Sequence, residues 1–125
     1  MDKEGIGGLE RRRMVDCVFC RIVRGELPSV KLFEDDKVIA IKDINPQAPF
    51  HALVISKKHI ESILEVEDGE LIAHIFRVIK FLANKYNLAK KGFRVVNNCG
   101  HDGGQTIYHL HFHLMGGRPM DWPPG

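Results

Sequence analysis

The sequence predicts an α+β domain built on an antiparallel sheet. Five short segments are rich in β-branched and other apolar residues and are bounded by turn-forming residues, which is typical of strands. One long segment with helical periodicity separates the third of these strands from the fourth. Hairpin-linked strands with a helix crossing between pairs are typical of an α+β domain.

The first half of the chain predicts one short helix and three strands. "DCVFCRIVRGEL" begins with Asp16, which we expect to cap a helix that ends at Gly25. "VKLFED" and "DKVIAIKDI" are predicted strands joined by a turn at Asp35 and Asp36. "NPQAP" is a predicted loop because each proline fixes φ and lacks an N–H donor. "FHALVIS" is the third strand, and "KKHIESIL" predicts a helical turn.

The second half predicts the long helix and two more strands. The helix runs from about Gly69 to Tyr86, and its apolar residues recur at i, i+3 and i+4. The face that we expect against the sheet comprises Leu71, Ile72, Ile75, Phe76, Ile79 and Leu82. "GFRVVNN" and "IYHLHFHLM" are predicted strands, and the Gly-rich loop "CGHDGGQT" joins them. The prolines of "GGRPMDWPPG" prevent the last strand from continuing.

The composition predicts one small globular domain. The net charge is +2 and the two signs are interspersed beyond "ERRRM", so no basic stripe indicates nucleic-acid binding. No segment has the roughly 18–20 apolar residues that span a membrane, and the first residues lack the apolar core of a signal peptide, so we expect a cytoplasmic protein. Residues 1–13 predict a flexible leader or an expression remnant, ahead of a domain over residues 14–125.

Three histidines alternate with apolar residues in "HLHFH". On a strand, His109, His111 and His113 would share one face, and the leucines and phenylalanine between them would face the core. This spacing is compatible with a His-rich metal site, with reaction chemistry, or with incidental polar positions on a half-exposed strand.

The Gly-rich loop ahead of these histidines favours phosphoryl chemistry. Gly103 and Gly104 would let backbone N–H groups approach a phosphate closely, and Thr106 supplies a hydroxyl. A neutral imidazole can attack phosphorus while backbone donors hold the oxygens. A flexible hairpin loop is the alternative interpretation of the same residues.

"CVFC" is a second candidate site. Cys17 and Cys20 have the spacing of zinc sites and of dithiol redox motifs. A redox motif is expected after a strand in a βαβ unit, whereas this pair stands at the start of the fold. Zinc needs two more ligands, for which His59 and His109 are available, and two structural thiols on a helix are the alternative. Three cysteines in a reducing compartment argue against disulfides.

These motifs together resemble the histidine-triad (HIT) family. "HLHFHLM" is similar to its His-φ-His-φ-His-φ-φ signature. "CVFCRIVRGELP", "DINPQAPFHALVISKKHI" and "NNCGHDGGQTIYHLHFHLMGGRPMDWPPG" resemble its Hint branch, the purine nucleoside phosphoramidases. The resemblance implies a HIT-like fold with a five-stranded antiparallel sheet, a long helix and a short N-terminal helix. It further implies a homodimer whose sheets join into ten continuous strands.

The resemblance also implies hydrolysis of AMP- or GMP-linked phosphoramidates. His111 is implied as the nucleophile that forms a nucleotidyl-imidazole intermediate, and His113 as the group that bonds the phosphate oxygens. His51 is implied to lie near the nucleophile, with its role open. The other implied contacts are the purine slot of Val18, Phe19, Ile22, Ile41 and Ile44; Asp43 on the ribose hydroxyls; Asn98, Gly104, Gln105 and Thr106 around the phosphate and leaving group; and Trp122 near the partner subunit's active site.

Two questions stay open at this stage. Bacterial members with "CVFC" resemble zinc proteins whose ligands match Cys17, Cys20, His59 and His109, whereas in animal members His51, His59 and His109 resemble a relay behind the nucleophile. We expect structural zinc with no metal needed for the chemistry. The alternatives to a phosphoramidase are a dinucleoside polyphosphate hydrolase, a zinc-stabilised nucleotide-binding or scaffolding dimer, and a catalytic metal at the three strand histidines. Asn97, Cys99 and His101 match no motif, and His74 is expected to be solvated.

Overall fold

A computed structural model describes residues 17–125, and this part of the chain has the predicted α+β fold. The predicted leader over residues 1–13 and the predicted capping residue Asp16 lie outside the described residues. The elements are helix α1 (Val18–Val23), strands β1 (Lys31–Glu34), β2 (Val38–Lys42) and β3 (Phe50–Ser56), a 3₁₀ turn (Ile63–Glu65), helix α2 (Gly69–Lys85), and strands β4 (Phe93–Val96) and β5 (His111–Gly116). Neither helix of residues 17–125 has the length and apolar composition needed to cross a bilayer.

The five strands form one sheet in the order β1-β2-β3-β5-β4, and every neighbouring pair is antiparallel. The central strand β3 pairs with β5 so that Leu53 is opposite His113 and Ile55 is opposite His111. The two histidines of β5 are therefore held on an interior strand, beside the central strand of the sheet.

Both faces of the sheet are covered. On β2 and β3, Val38, Ala40, Ala52 and Val54 pack beneath α2, while the alternate residues Ile39, Ile41, Leu53 and Ile55 pack beneath α1. Because side chains alternate across a strand, a strand buried on both faces has to be apolar at nearly every position. This explains the continuous apolar runs in "VIAI" and "ALVI".

Helix α2 begins where the Asp68 side chain accepts a hydrogen bond from the Glu70 N–H. Its buried face differs from the predicted one. Val78 and Ala83 are buried, whereas Phe76 is 46% exposed and Ile72 is half-buried. The buried positions are Leu71, Ile75, Val78, Ile79, Leu82 and Ala83, which follow one helical stripe, and Phe76 lies at the edge of that stripe.

Three further expectations need correction. The helical turn predicted over "KKHIESIL" is limited to Ile63–Glu65. The last strand begins at His111 rather than at Ile107, because the Leu110 N–H is turned to the carbonyl of Ile60 (2.7 Å). His74 is half-buried rather than solvated, and its Nε2 lies 2.6 Å from Oδ2 of Asp35.

The N-terminal cap of α1 also differs from the prediction. The capping residue is Cys17, whose Sγ accepts from the N–H of Cys20 at 3.4 Å. The sulfur of a thiol is a weak hydrogen-bond acceptor, so this cap is weaker than one from a side-chain oxygen.

Candidate functional site

An open cavity of about 450 Å³ lies beside α1 and the start of β5. It brings together every predicted nucleotide-binding residue except Trp122, whose side chain is 83% exposed and does not line the cavity. One wall is apolar and the other carries the polar groups; the lining includes Val18, Phe19, Ile22, Ile41, Asp43, Ile44, Asn98, Gly104, Gln105, Thr106, His111 and His113. Concave, mostly apolar sites with a few convergent polar groups are typical of small-molecule binding.

His111 has one tautomer imposed on it by the backbone. Its Nδ1 lies 2.6 Å from the carbonyl oxygen of His109, and because a carbonyl can only accept, Nδ1 carries the proton. Burial lowers the pKa of His111, which keeps the ring neutral. The lone pair is then on Nε2, in a ring that lines the cavity. This ring makes a T-shaped contact with Phe19, and the two ring centroids are 4.9 Å apart. A neutral imidazole with this lone pair is the nucleophilic form of histidine.

Asn97 fixes the backbone that carries His111. Strand β4 ends at Val96, and the next side chain, Asn97, donates from Nδ2 to the carbonyl of His111 at 2.9 Å. The side chain thus takes the place of a ladder hydrogen bond beyond the last paired residue. No motif in the sequence indicated this role.

His113 receives its tautomer from His51. The Gln47 N–H donates to Nδ1 of His51 at 3.0 Å, so the proton of His51 is on Nε2. That Nε2 lies 2.9 Å from Nδ1 of His113 and 3.4 Å from Oδ2 of Asp43. His51 therefore donates to His113, and the proton of His113 is on Nε2.

The electrostatics of this pair keep both rings neutral. Burial lowers the pKa of His51, and burial together with the neighbouring His111 and His51 lowers the pKa of His113 to about 4. His113 borders the cavity, whereas His51 lies behind it and is only 7% exposed. The arrangement presents a lone pair from His111 and an N–H donor from His113 to one ligand.

The Gly-rich loop closes tightly on itself. A Cβ at Gly103 would lie 2.3 Å from the carbonyl oxygen of Cys99, so a larger residue would displace the backbone there. Gly104 has a φ of +81°, which is in the left-handed region that favours glycine. Gly104 lines the cavity next to Thr106, but its N–H donates to the carbonyl of His101 at 3.0 Å, and Gly103 does not line the cavity. The predicted phosphate contacts from these two N–H groups are therefore not made available by this loop conformation.

Gln105 supports the loop from within. Its Oε1 accepts from the Gly100 N–H at 2.9 Å, and its Nε2 donates to the carbonyls of Glu61 (2.8 Å) and Ile107 (3.2 Å). The side chain is 7% exposed. The resemblance implies that the Gln105 amide contacts a phosphate. In this structure the amide is already bonded to backbone groups, so Gln105 positions the loop.

A second cluster joins Cys17, Cys20, His59 and His109 beside Phe19, whose ring contacts both His109 and His111. Their four donor atoms lie within 4.8 Å of one another. Cys17 Sγ is 3.3 Å from His109 Nδ1, Cys20 Sγ is 3.2 Å from His59 Nδ1, and the two Nδ1 atoms are 3.1 Å apart. Ligands of one tetrahedral zinc, with bonds of about 2.3 Å to sulfur and 2.0–2.1 Å to nitrogen, lie about 3.3–3.8 Å apart.

The protonation states of the cluster also suit a cation. His109 donates from Nε2 to the carbonyl of Ser56 at 2.6 Å, which leaves the lone pair of Nδ1 directed to the sulfurs. Burial lowers the pKa of His109 to about 4, and burial with the neighbouring Cys17 raises the pKa of the Cys20 thiol to about 12. A buried pair of thiols is costly to ionise unless a positive charge is added, and two sulfurs with two imidazoles are a donor set of structural zinc.

The remaining polar residues lie apart from both clusters. His101 is exposed and its Nδ1 lies 3.1 Å from Oδ1 of Asp102. The half-buried Cys99 contributes its backbone to the tight loop and lies outside the metal-binding cluster.

Comparisons with known proteins agree with this geometry. The family model of the HIT domain matches residues 24–120. The chain is 40% identical to the 14 kDa zinc-binding protein of Zea mays, over the full length of both chains. It superimposes on a HIT family hydrolase from Legionella pneumophila with a TM-score of 0.85 and 50% identity, covering 87% of this chain and 99% of that one. A histidine triad protein from Clostridium difficile gives a TM-score of 0.83 and 46% identity, with 86% and 95% covered.

Proposed function

The chain belongs to the HIT domain family, and from this premise we propose that it hydrolyses purine nucleoside 5′-phosphoramidates through a covalent nucleotidyl-histidine intermediate. The observation that carries the proposal is the neutral imidazole of His111. Its Nδ1–H is bonded to the His109 carbonyl, and the ring lines a cavity that combines an apolar wall with a Gly-rich loop. This specificity corresponds to the Hint branch of the family.

The nucleoside fits the apolar side of the cavity. Phe19 and Ile22 are buried residues of α1, and Ile41 ends the buried run of β2. Together with Val18 and Ile44 they can enclose a purine ring but offer few groups that read its edge, so we expect weak discrimination between adenine and guanine. Asp43, at the mouth, can accept from both ribose hydroxyls because an ionised carboxylate has only acceptors.

The reaction needs two displacements at phosphorus. In the first, the Nε2 lone pair of His111 forms the P–N bond to the enzyme, the P–N bond of the substrate breaks, and the departing nitrogen keeps the bonding pair and takes a proton from solvent water. In the second, a water molecule attacks phosphorus, the bond to His111 breaks, and the water releases its proton. His113 holds a phosphate oxygen through Nε2–H, and the hydroxyl of Thr106 can hold another.

We propose structural zinc at Cys17, Cys20, His59 and His109. The geometry and chemistry of the cluster support it, as does the name of the maize relative. Four protein ligands leave no open coordination position, so the metal would neutralise two thiolates and fix α1 to the segment before β5. His109 would then be a ligand and not part of a proton relay.

A homodimer completes the proposal. Strand β4 is at the edge of the sheet, and Phe93 on it is 41% exposed. An unpaired edge is a template for pairing with a second copy, which would give ten continuous strands. In such a dimer the exposed Trp122 could reach the partner subunit.

The test is a turnover panel of AMP phosphoramidate, AMP-lysine and diadenosine polyphosphates, run on the wild type and on His111→Ala. We expect the phosphoramidates to be preferred and the variant to lose activity by about 10³-fold or more. His101→Ala, an exposed imidazole outside the cavity, is the matched control and should keep full activity. Preference for the polyphosphates would contradict the proposed specificity, and tight AMP binding without any turnover would identify a nucleotide-binding module instead.

A further inference from the structure

A second cavity, of about 430 Å³, also borders His113. It shares His113 and Asn98 with the nucleotide cavity, but His111 does not line it. Its walls come from the loop before β3, from β4 and from the tail after β5, and they include Gln47, Arg94, Arg118 and Asp121.

The geometry of an in-line displacement indicates which part of the substrate would occupy this cavity. In an in-line attack the leaving group departs opposite the nucleophile. With the nucleoside in the first cavity and His111 attacking from it, the leaving group departs on the side of phosphorus away from His111. The second cavity is lined by His113, the proposed phosphate-binding residue, and not by His111. It is therefore the space into which the leaving group extends.

The charge of this cavity is positive. Arg94 donates from Nη2 to the carbonyl of Asp121 at 2.7 Å, and Arg118 donates from Nη2 to the carbonyl of Gln47 at 2.8 Å. Backbone carbonyls orient a guanidinium without neutralising it. Within residues 17–125, neither arginine has a carboxylate within 4.0 Å, and Asp121 is the one acidic residue of the lining.

We propose that the second cavity binds the leaving group and selects one that carries an anion. A guanidinium has five N–H donors in a planar fork that matches a carboxylate or a phosphate. Backbone carbonyls occupy one of these donors in Arg94 and two in Arg118, so the others can bind a ligand. The anion could be the carboxylate of an amino acid or a phosphate. This inference rests on the proposed function, because it assigns the second half of the same substrate.

The test uses two substrates that differ only in this charge. One is AMP joined through its phosphorus to the amine of glycine, with a free carboxylate; the other is the matching glycinamide. We expect kcat/KM to be at least about 10-fold higher for the carboxylate. Arg94→Gln and Arg118→Gln should each lower that ratio toward one, while Arg77→Gln, an exposed arginine on α2, should leave it unchanged. Equal values of kcat/KM for the two substrates in the wild type, together with a rate on diadenosine triphosphate that neither arginine variant changes, would overturn the inference.

A binding arm separates this inference from the proposed function. The affinities of both compounds for His111→Ala are measured by calorimetry, so that no turnover is required. Tighter, arginine-dependent binding of the carboxylate supports the second site even if the wild type hydrolyses neither compound, an outcome that would sink the phosphoramidase proposal alone. Equal affinities, together with a rate on diadenosine triphosphate that does not depend on either arginine, overturn the second site. In a third arm, an arginine-dependent rate on diadenosine triphosphate but not on the glycine compound assigns the anion as phosphate.

Discussion

The cysteine-histidine cluster and the nucleotide cavity use neighbouring histidines in opposite tautomers. His109 donates from Nε2 to the carbonyl of Ser56 and turns the lone pair of Nδ1 to two sulfurs. His111 donates from Nδ1 to the carbonyl of His109 and keeps the lone pair on Nε2. Both rings are neutral and buried, so the difference is set by which backbone carbonyl each ring meets.

The comparison teaches that one alternating motif can serve two sites. The carbonyl of His109 orients the ring of His111, while the side chain of His109 belongs to the cluster with Cys17 and Cys20. His109 therefore contributes to both the metal-binding cluster and the proposed catalytic site. They should still separate in experiments, because the partners of the two rings are different.

Loss of the metal cluster should have the largest effect on stability. Cys20→Ala removes one of four ligands, and we expect the free energy of unfolding to fall by about 4 kcal/mol or more together with loss of bound zinc. Zinc content by atomic emission and unfolding in urea measure both quantities. Cys99→Ala, which removes a thiol outside the cluster, should change neither. An unchanged stability of Cys20→Ala would show that the cluster holds no structural metal.

Removal of His51 should affect turnover far more than stability. Without its Nε2–H, Nδ1 of His113 loses its donor, and the tautomer that presents Nε2–H to phosphate is no longer fixed. We expect His51→Ala to lower kcat by about 10–100-fold with zinc content unchanged. The assay is phosphoramidate hydrolysis, with His74→Ala as the matched control for loss of a half-buried imidazole. Full activity of His51→Ala would show that His113 needs no such partner.

The α+β fold could be predicted from periodicity, whereas the lining of the cavity was implied by the resemblance of the motifs to the HIT family. The alternation in "HLHFHL" places Leu110, Phe112 and Leu114 beneath α2 and the histidines on the other face. The prediction of the buried face of α2 was less accurate. Phe76 and Val78 both fit a helical stripe, and only packing against the sheet determines which of them is buried.

The tautomers could not be predicted from residue types. They depend on carbonyl and N–H groups of Ser56, His109 and Gln47, and every residue has a backbone of this kind. The hydrogen bonds of Asn97 and Gln105 could not be predicted for the same reason. Each side chain bonds backbone groups that are distant in sequence, and no sequence motif identifies such groups. Backbone partners become visible only when the chain is folded.

Asn97 offers a smaller test of how firmly the nucleophile is held. Asn97→Ala removes the hydrogen bond to the His111 carbonyl, and we expect a loss of about 1 kcal/mol in unfolding free energy and a several-fold lower kcat. Asn84→Ala is the matched control, because its Nδ2 also donates to one backbone carbonyl, that of Lys80, on the exposed side of α2. It should leave kcat unchanged. Equal kcat for the two variants would mean that strand pairing alone positions His111.

The smallest expected effect lies outside both sites, at Asp35. Burial raises the pKa of this carboxyl, but the N–H groups of Lys37 and Val38 and the His74 side chain outweigh burial, so the pKa is lowered overall. A carboxylate with a lowered folded-state pKa stabilises the fold above its unfolded pKa of about 3.9, and this contribution is lost as the pH falls through the folded value.

Asp35→Asn should therefore lower the unfolding free energy at pH 7 by about 1 kcal/mol and make its decline below pH 4 less steep. Urea unfolding at a series of pH values measures this difference. Asp36→Asn, at the neighbouring turn position, is the control. Zinc content and kcat at pH 7 should stay at wild-type levels in both variants, because neither side chain touches the cluster or the nucleotide cavity. A wild-type acid dependence in Asp35→Asn would show that the bonds from Lys37, Val38 and His74 do not favour the charged form.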